Sequence, residues 1–230
     1  MTGLVIAIAQ RKGGAGKTTL AAQLAVAWAR QGAWVAALDI DPQGSLAAWV
    51  GLRRARLGQE AVGFDFAALP GWRAAQWIED RARAADLVVI DGPPHAETEA
   101  RVAVRAAELV LIPVQPSPLD LWATEATLKM ARDERRRAVV VLNRVPPRSG
   151  LTDRVAADLG GVGTTIAASR IGNRVALVRA MAQGLGVVES AAASLAAVEI
   201  EALADEIRHI CRLDPADRRP NMPMAATRPG

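Results

Sequence analysis

The nine residues RKGGAGKTT, 11–19, hold most of the chemistry this 230-residue chain could perform. Gly16-Lys17-Thr18 ends the stretch as a phosphate-binding loop ends, with glycine, lysine and a hydroxyl in that order. Gly13, Gly14 and Gly16 let backbone N–H groups turn inward around phosphate oxygens. Lys17 then reaches the β- and γ-phosphates, Thr18 offers its hydroxyl to Mg²⁺, and Thr19 can bond the α-phosphate. The usual loop reads G-x-x-x-x-G-K-[ST], yet five residues before Gly16 stands Arg11, not glycine. A second lysine, Lys12, follows it. Only three of the 28 basic residues are lysines, and two of those three fall in this loop. An arginine-rich composition does not account for that placement. A compact, rotatable ammonium suits a tight phosphate turn where a planar guanidinium fits poorly.

Carboxylates complete the set. The apolar run DLVVID ends in Asp91, which could hold Mg²⁺ through its water shell. ALDIDPQGS offers Asp39 and Asp41. Asp41, just past its strand, could hold Mg²⁺ waters or orient an attacking water. Strand-end aspartates also serve as plain turn or helix caps, so each alone is ambiguous. Beside the loop, Asp41 and Asp91 are expected in one site.

The elements that must position these groups follow from periodicity. Short apolar runs predict buried parallel strands at 4–10, 34–41, 86–91, 108–114 and 138–143, with weaker ones at 64–69 and 161–166. Helical patterns fill 17–31, 72–84, 97–107, 119–137, 152–159 and 199–212. Residues 45–50 read as a short helix followed by an arginine-rich loop, GLRRARLGQ. The alternation predicts an α/β fold, an open and mostly parallel sheet flanked by helices. Such sheets bind ligands at the carboxyl ends of their strands, where every motif above lies. One domain over 1–212 is expected, with a proline-rich, disordered tail over 213–230.

Composition bounds the functional classes. Hydrophobic residues make up 51% of the chain, enough for a large core, and no run approaches a membrane span. The first strand begins almost at once, which suggests no signal peptide and a cytoplasmic protein. A single cysteine, Cys211, supplies neither a disulfide framework nor a cysteine-ligated cluster within one chain. The net charge of +4 permits anionic partners without establishing one.

These motifs together resemble the ParA/MinD family of deviant Walker A ATPases, on the small ParA-type partition branch. Lys12 to Thr19 resembles its Walker A motif, LDIDPQGS its switch I, and VVIDGPP its Walker B and switch II, with Gly92 where threonine is usual. LVLIPVQPSPLDLWA, VVLNRV and RVALVRAMAQGLGVVE resemble later family segments, so the likeness spans about 4 to 210. The resemblance implies a P-loop NTPase fold of the SIMIBI-like kind, ATP and Mg²⁺ as cofactors, and slow hydrolysis. It makes Lys12, Lys17 and Asp41 the catalytic candidates, Lys12 through Thr19 (including Ala15) the nucleotide cradle, and Asn143 an adenine contact. Thr18, Asp41 and Asp91 become the Mg²⁺ set, the aspartates through water. It gives Lys12 a role across an ATP-bound homodimer, at the partner's phosphates. Loss of the γ-phosphate would then release the contact.

Partners follow from the same likeness. The segment from Leu159 to Val188 has no acidic residue but carries Arg170, Arg174 and Arg179, where the family places arginines on DNA. Arg170 and Arg174 would share a face if helical. Such contacts give sequence-independent, salt-sensitive binding to double-stranded DNA, hence a nucleoid-associated protein. Arg174 could equally be a structural ion pair. RDERRR at 132–137 reads as a second basic cluster or a solvated helix end. His95 could contact switch II, and Gln43 and Arg11 are weak hydrolysis candidates. Trp49 or Trp122 could line a partner surface. A ParB-like or cargo-adaptor protein is expected to stimulate hydrolysis. The tail, with its prolines, argues against an amphipathic membrane helix and so against a MinD-like regulator. The remaining alternative is a P-loop ligase or amidase, dethiobiotin-synthetase-like, which would need a substrate site beside the γ-phosphate.

Overall fold

The computed structural model describes residues 2–58, 62–94, 97–147, 150–161 and 163–211. Among them seven parallel strands form one sheet in the order β3-β2-β4-β1-β5-β6-β7. The strands are β1 (Leu4–Ile8), β2 (Val35–Asp39), β3 (Asp65–Ala68), β4 (Leu87–Asp91), β5 (Leu109–Val114), β6 (Arg137–Leu142) and β7 (Thr165–Ile166). Helices cover both faces, so the central strands are apolar on both sides, as parallel sheets require. Leu4, Ile6 and Ile8 of β1 enter one core, and Val5 and Ala7 the other.

The first core lies under α1 (Lys17–Arg30), α2 (Ser45–Leu57), α7 (Val175–Ala182), α8 (Val187–Ser190) and α9 (Leu195–Ile210). Trp28 of α1 is fully buried there, and its indole N–H donates to the Ala204 carbonyl at 3.1 Å. Burying so large a ring while pairing its one donor fixes α1 against α9. The second core lies under α3 (Gly71–Ala84), α4 (Glu97–Ala106), α5 (Pro118–Asp133) and α6 (Gly150–Gly161). In register, Ile8 and Asp39 each stand beside Asp91 on the neighbouring strand. The carboxyl ends of β1, β2 and β4 therefore meet, and the chemical groups converge there.

Two expectations need correction. The run GLRRARL is helix, not loop, because Arg53 turns inward and is 3% exposed. Its guanidinium donates to the Val62 carbonyl at 2.7 Å, to the Gly184 carbonyl at 3.2 Å and to both Glu189 oxygens at 2.7 Å. It also lies over the stacked rings of Trp49 and Phe64. Gly184, at φ +66°, has no side chain because the Arg53 backbone occupies that space. Helix α5 ends at Asp133 instead of 137, since Arg135 turns left-handed (φ 55°) and Arg137 already pairs with Leu109. The tail from 213 and His95 lie outside the described residues.

Candidate nucleotide site

The loop between β1 and α1 is shaped for an anion. Gly14 and Gly16 take left-handed φ values of 76° and 94°, open to glycine and strained for other residues. Gly16 caps α1, so the helix N-terminus faces the loop. A Cβ on Gly16 would also strike the Asn143 amide. Asn143 is buried, donates to the Ala15 carbonyl at 2.8 Å and accepts from the Arg144 N–H at 3.0 Å. Asn143 thus braces the phosphate loop from the end of β6. Gln115 adds a second brace, donating to the Gly14 carbonyl at 2.9 Å.

Lys17 is 7% exposed. Burial lowers its pKa, partly offset by the charges of Asp91 and Asp41. A buried ammonium next to an anion-shaped loop is ready to gain from a phosphate. Thr18 donates its hydroxyl to Asp91 Oδ2 at 2.7 Å. That bond commits the hydroxyl proton to Asp91 and leaves the oxygen lone pairs free to ligate a cation. Asp91 is fully buried, and its other oxygen, Oδ1, has no hydrogen-bond partner among the described residues. Burial pushes its carboxyl up to about 7, and the neighbouring Asp39 and Asp41 charges add to this against the Thr18 bond and Lys17. An orphaned, buried carboxylate oxygen beside an oriented hydroxyl fits a hard dication. Mg²⁺ retains waters and takes few protein ligands when phosphates supply the rest. Thr18 would ligate it directly and Asp91 through water, with Lys17 on the phosphates. The residues thus fit ATP with Mg²⁺.

Asp39 and Asp41 divide their labour. Asp39, buried, accepts the Asp41 N–H at 3.0 Å and the Ala47 N–H at 2.9 Å. Burial raises its pKa, and the Asp41 charge adds to that, although the backbone bonds work the other way. It therefore shapes the segment that presents Asp41. Asp41 is half-buried and its carboxylate accepts the Gln43 N–H at 3.0 Å, which leaves the rest of the group at the rim. Lys12, the second loop lysine, does not point at the Lys17 cradle. Its ammonium pairs with Asp120 of α5 at 2.5 Å. Sequence reasoning missed Asp120. The signal was Ser117, which caps α5 three residues earlier and marks Asp120 as a first-turn carboxylate.

The arginines expected on DNA lie apart from one another in role. Arg170 is outside any helix and pairs with Asp153 at 2.8 Å. Arg174 is the extended N-cap of α7, so the two do not share a helical face. Arg174 pairs with Glu199 at 2.6 Å. Arg179 is exposed in the last turn of α7 with no ion pair among the described residues. In the RDERRR cluster, Glu134 takes Arg101 and Arg105 of α4, each at 2.9 Å. Trp49 is core, whereas Trp122 is 72% exposed. No described helix is long and apolar enough to cross a membrane.

A parallel sheet with a glycine loop, paired Thr18–Asp91 and a buried Lys17 defines a P-loop nucleotide-binding protein. The family model described as the CobQ/CobB/MinD/ParA nucleotide binding domain matches residues 6–187, and the chain belongs to that family. It is 31% identical over 213 residues to the maintenance of carboxysome distribution protein A of Halothiobacillus neapolitanus, covering 89% of this chain and 93% of that protein. The Pyrococcus furiosus cell division ATPase MinD superposes with a TM-score of 0.76 at 23% identity, over 90% of this chain and 99% of its own. A Cyanothece McdA–ATP complex gives 0.74 at 18% identity, over 92% and 97%.

Proposed function

We propose that this chain is a Mg²⁺-dependent ATPase that dimerises on ATP, binds duplex DNA without sequence preference and positions a cargo. A partner protein, ParB-like or a cargo adaptor, triggers hydrolysis and release. Repeated release and rebinding on the nucleoid moves the cargo. The observation that carries this reading is the division of the two loop lysines. Lys17 is buried in the cradle of its own chain, while Lys12 stands on the rim with 34% of its side chain exposed. A rim cation can serve a phosphate that its own chain does not hold, as an arginine finger does in trans. Likeness to the carboxysome distribution protein along 93% of its length favours a protein assembly as cargo over a plasmid.

Within this reading Asp41 would position the attacking water, and Thr18 with Asp91 would hold Mg²⁺, which would supply positive charge at the phosphates. Arg179, exposed and without an ion pair among the described residues, is the DNA contact best supported. Arg170 and Arg174 would have to leave Asp153 and Glu199 to contribute. The test is binding to random-sequence duplex DNA with ATP and with ADP at two salt concentrations, with association followed by sedimentation. ATP-only, salt-weakened binding that disappears in Lys12→Ala is the expected result. Binding that ignores the nucleotide, or none at low salt, refutes the DNA part of the proposal.

A further inference from the structure

The end of α5 carries one more inference, which rests on the DNA reading above. Helix α5 stops at Asp133, and the turn behind it closes with the Arg135 N–H on the Arg132 carbonyl at 2.9 Å and the Arg136 N–H on the Ala131 carbonyl at 2.8 Å. That pair of bonds calls for a left-handed residue just past the helix, a place that glycine fills without strain. Here the residue is Arg135, at φ 55°. The helix dipole is already met by Arg132 in the last turn, so it does not explain a strained Arg135. Arg132 and Arg135 are exposed, Arg136 is half-buried, and none of the three has an ion pair among the described residues. The carboxylates beside them are already taken. Glu134 is held by Arg101 and Arg105, and Asp133 by Lys129 at 2.8 Å. Arg137 adds a further exposed guanidinium, which donates to the Ile210 carbonyl at 3.2 Å. No exposed large hydrophobic residue lies in the stretch 132–137.

We propose that the turn at 132–136 is a second contact for the phosphate backbone of duplex DNA, at the end of the sheet away from the nucleotide. Strand β6 runs from this turn towards Asn143, six residues at ~3.3 Å each, so the turn stands ~20 Å from the phosphate loop. A guanidinium fork matches a phosphate, and a row of phosphates needs neither a pocket nor an apolar anchor. A protein partner draws most of its affinity from a few desolvated side chains in pockets, and the turn offers no apolar one. One chain presents a single small patch and holds DNA weakly. An ATP-linked pair presents two, which neighbouring stretches of DNA can occupy together. Contact through this turn therefore strengthens on association, although the turn itself touches no nucleotide.

The full chain tests this with Arg135→Gly, which removes the charge and relieves the left-handed strain. Binding to labelled random-sequence duplex DNA is followed by anisotropy with a non-hydrolysable ATP analogue, from about 50 to about 200 mM salt. The variant is expected to unfold about 2–4 °C higher and to bind the nucleotide as before. Its DNA binding should be roughly fivefold weaker at about 0.1 M salt, with the slope of log K against log salt smaller by about one. Arg132→Gln combined with Arg135→Gly should lower the slope by about two. A helix-capping role alone predicts unaltered DNA binding. Unchanged DNA affinity and slope in both variants overturn the inference. A loss confined to poly-glutamate or to phosphatidylglycerol vesicles, with duplex binding intact, reassigns the turn to an acidic protein or a membrane and also overturns it. If the wild-type chain binds no duplex at about 50 mM salt, the DNA reading itself fails and takes this inference with it. Wild-type binding that does not respond to Arg135→Gly removes the turn alone and leaves Arg179 as the contact, which keeps the two failures distinct.

Discussion

Asp91→Asn should make the nucleotide-free protein more stable at pH 8 while destroying its Mg²⁺ response. The carboxyl moves from an ordinary 3.8 to about 7 in the folded chain, driven first by burial. A carboxyl raised on folding contributes fully when both states are protonated, below the unfolded value. That contribution is lost as pH climbs through the folded value. As pH rises from about 4 to about 7 the unfolded-state carboxyl ionises while the folded one stays protonated, and wild-type stability falls by up to ~4 kcal/mol. Asparagine removes the buried charge but also the charge-assisted bond from Thr18, worth ~2 kcal/mol. The net gain at pH 8 is then ~2 kcal/mol, or roughly 4–8 °C in Tm for a chain of this size. At pH 4.5 the gain should vanish, because the wild-type carboxyl is protonated there. The assay is thermal unfolding in EDTA from pH 4.5 to 8.5, repeated with Mg²⁺ and ATP. With both ligands the order should reverse, since only wild type gains binding energy from the metal complex. Parallel pH profiles for the two proteins, or an Asp91→Asn protein less stable at pH 8, would refute the reasoning.

Other consequences can be checked in the same way. Gly16→Ala forces a left-handed alanine against the Asn143 amide, so nucleotide affinity should collapse and stability fall by ~1–3 kcal/mol, read by calorimetry and unfolding. Glu189→Gln leaves Arg53 buried without its counter-charge and should cost ~3 kcal/mol in denaturant unfolding, with local damage to α2. Arg179→Ala should weaken DNA binding and flatten its salt dependence by about one phosphate, whereas Arg174→Ala should lower stability more than it lowers DNA affinity. Trp122→Ser should change stability by less than ~0.5 kcal/mol, because the ring is exposed, yet reduce any partner-stimulated turnover measured by phosphate release.

Local grammar is legible in consecutive residues. A glycine run, a lysine and two threonines between a strand and a helix dictate a phosphate loop, since backbone freedom and N-terminal amides are written in consecutive residues. Apolar runs likewise set the parallel strands, because both faces of such a sheet are buried. The positions of Asp41 and Asp91 at strand ends were legible for the same reason. Tertiary structure decided which groups meet. Arg53 reads as a solvated arginine until Glu189, 136 residues away, and two aromatic rings enclose it. Asp120 reads as a helix-cap acid until the fold sets it 108 residues from Lys12 in sequence and 2.5 Å away in space. Arg170 and Arg174 read as a basic face until Asp153 and Glu199 arrive to neutralise them. Charge balance inside a protein depends on neighbours brought by other strands and helices, and no local pattern encodes them.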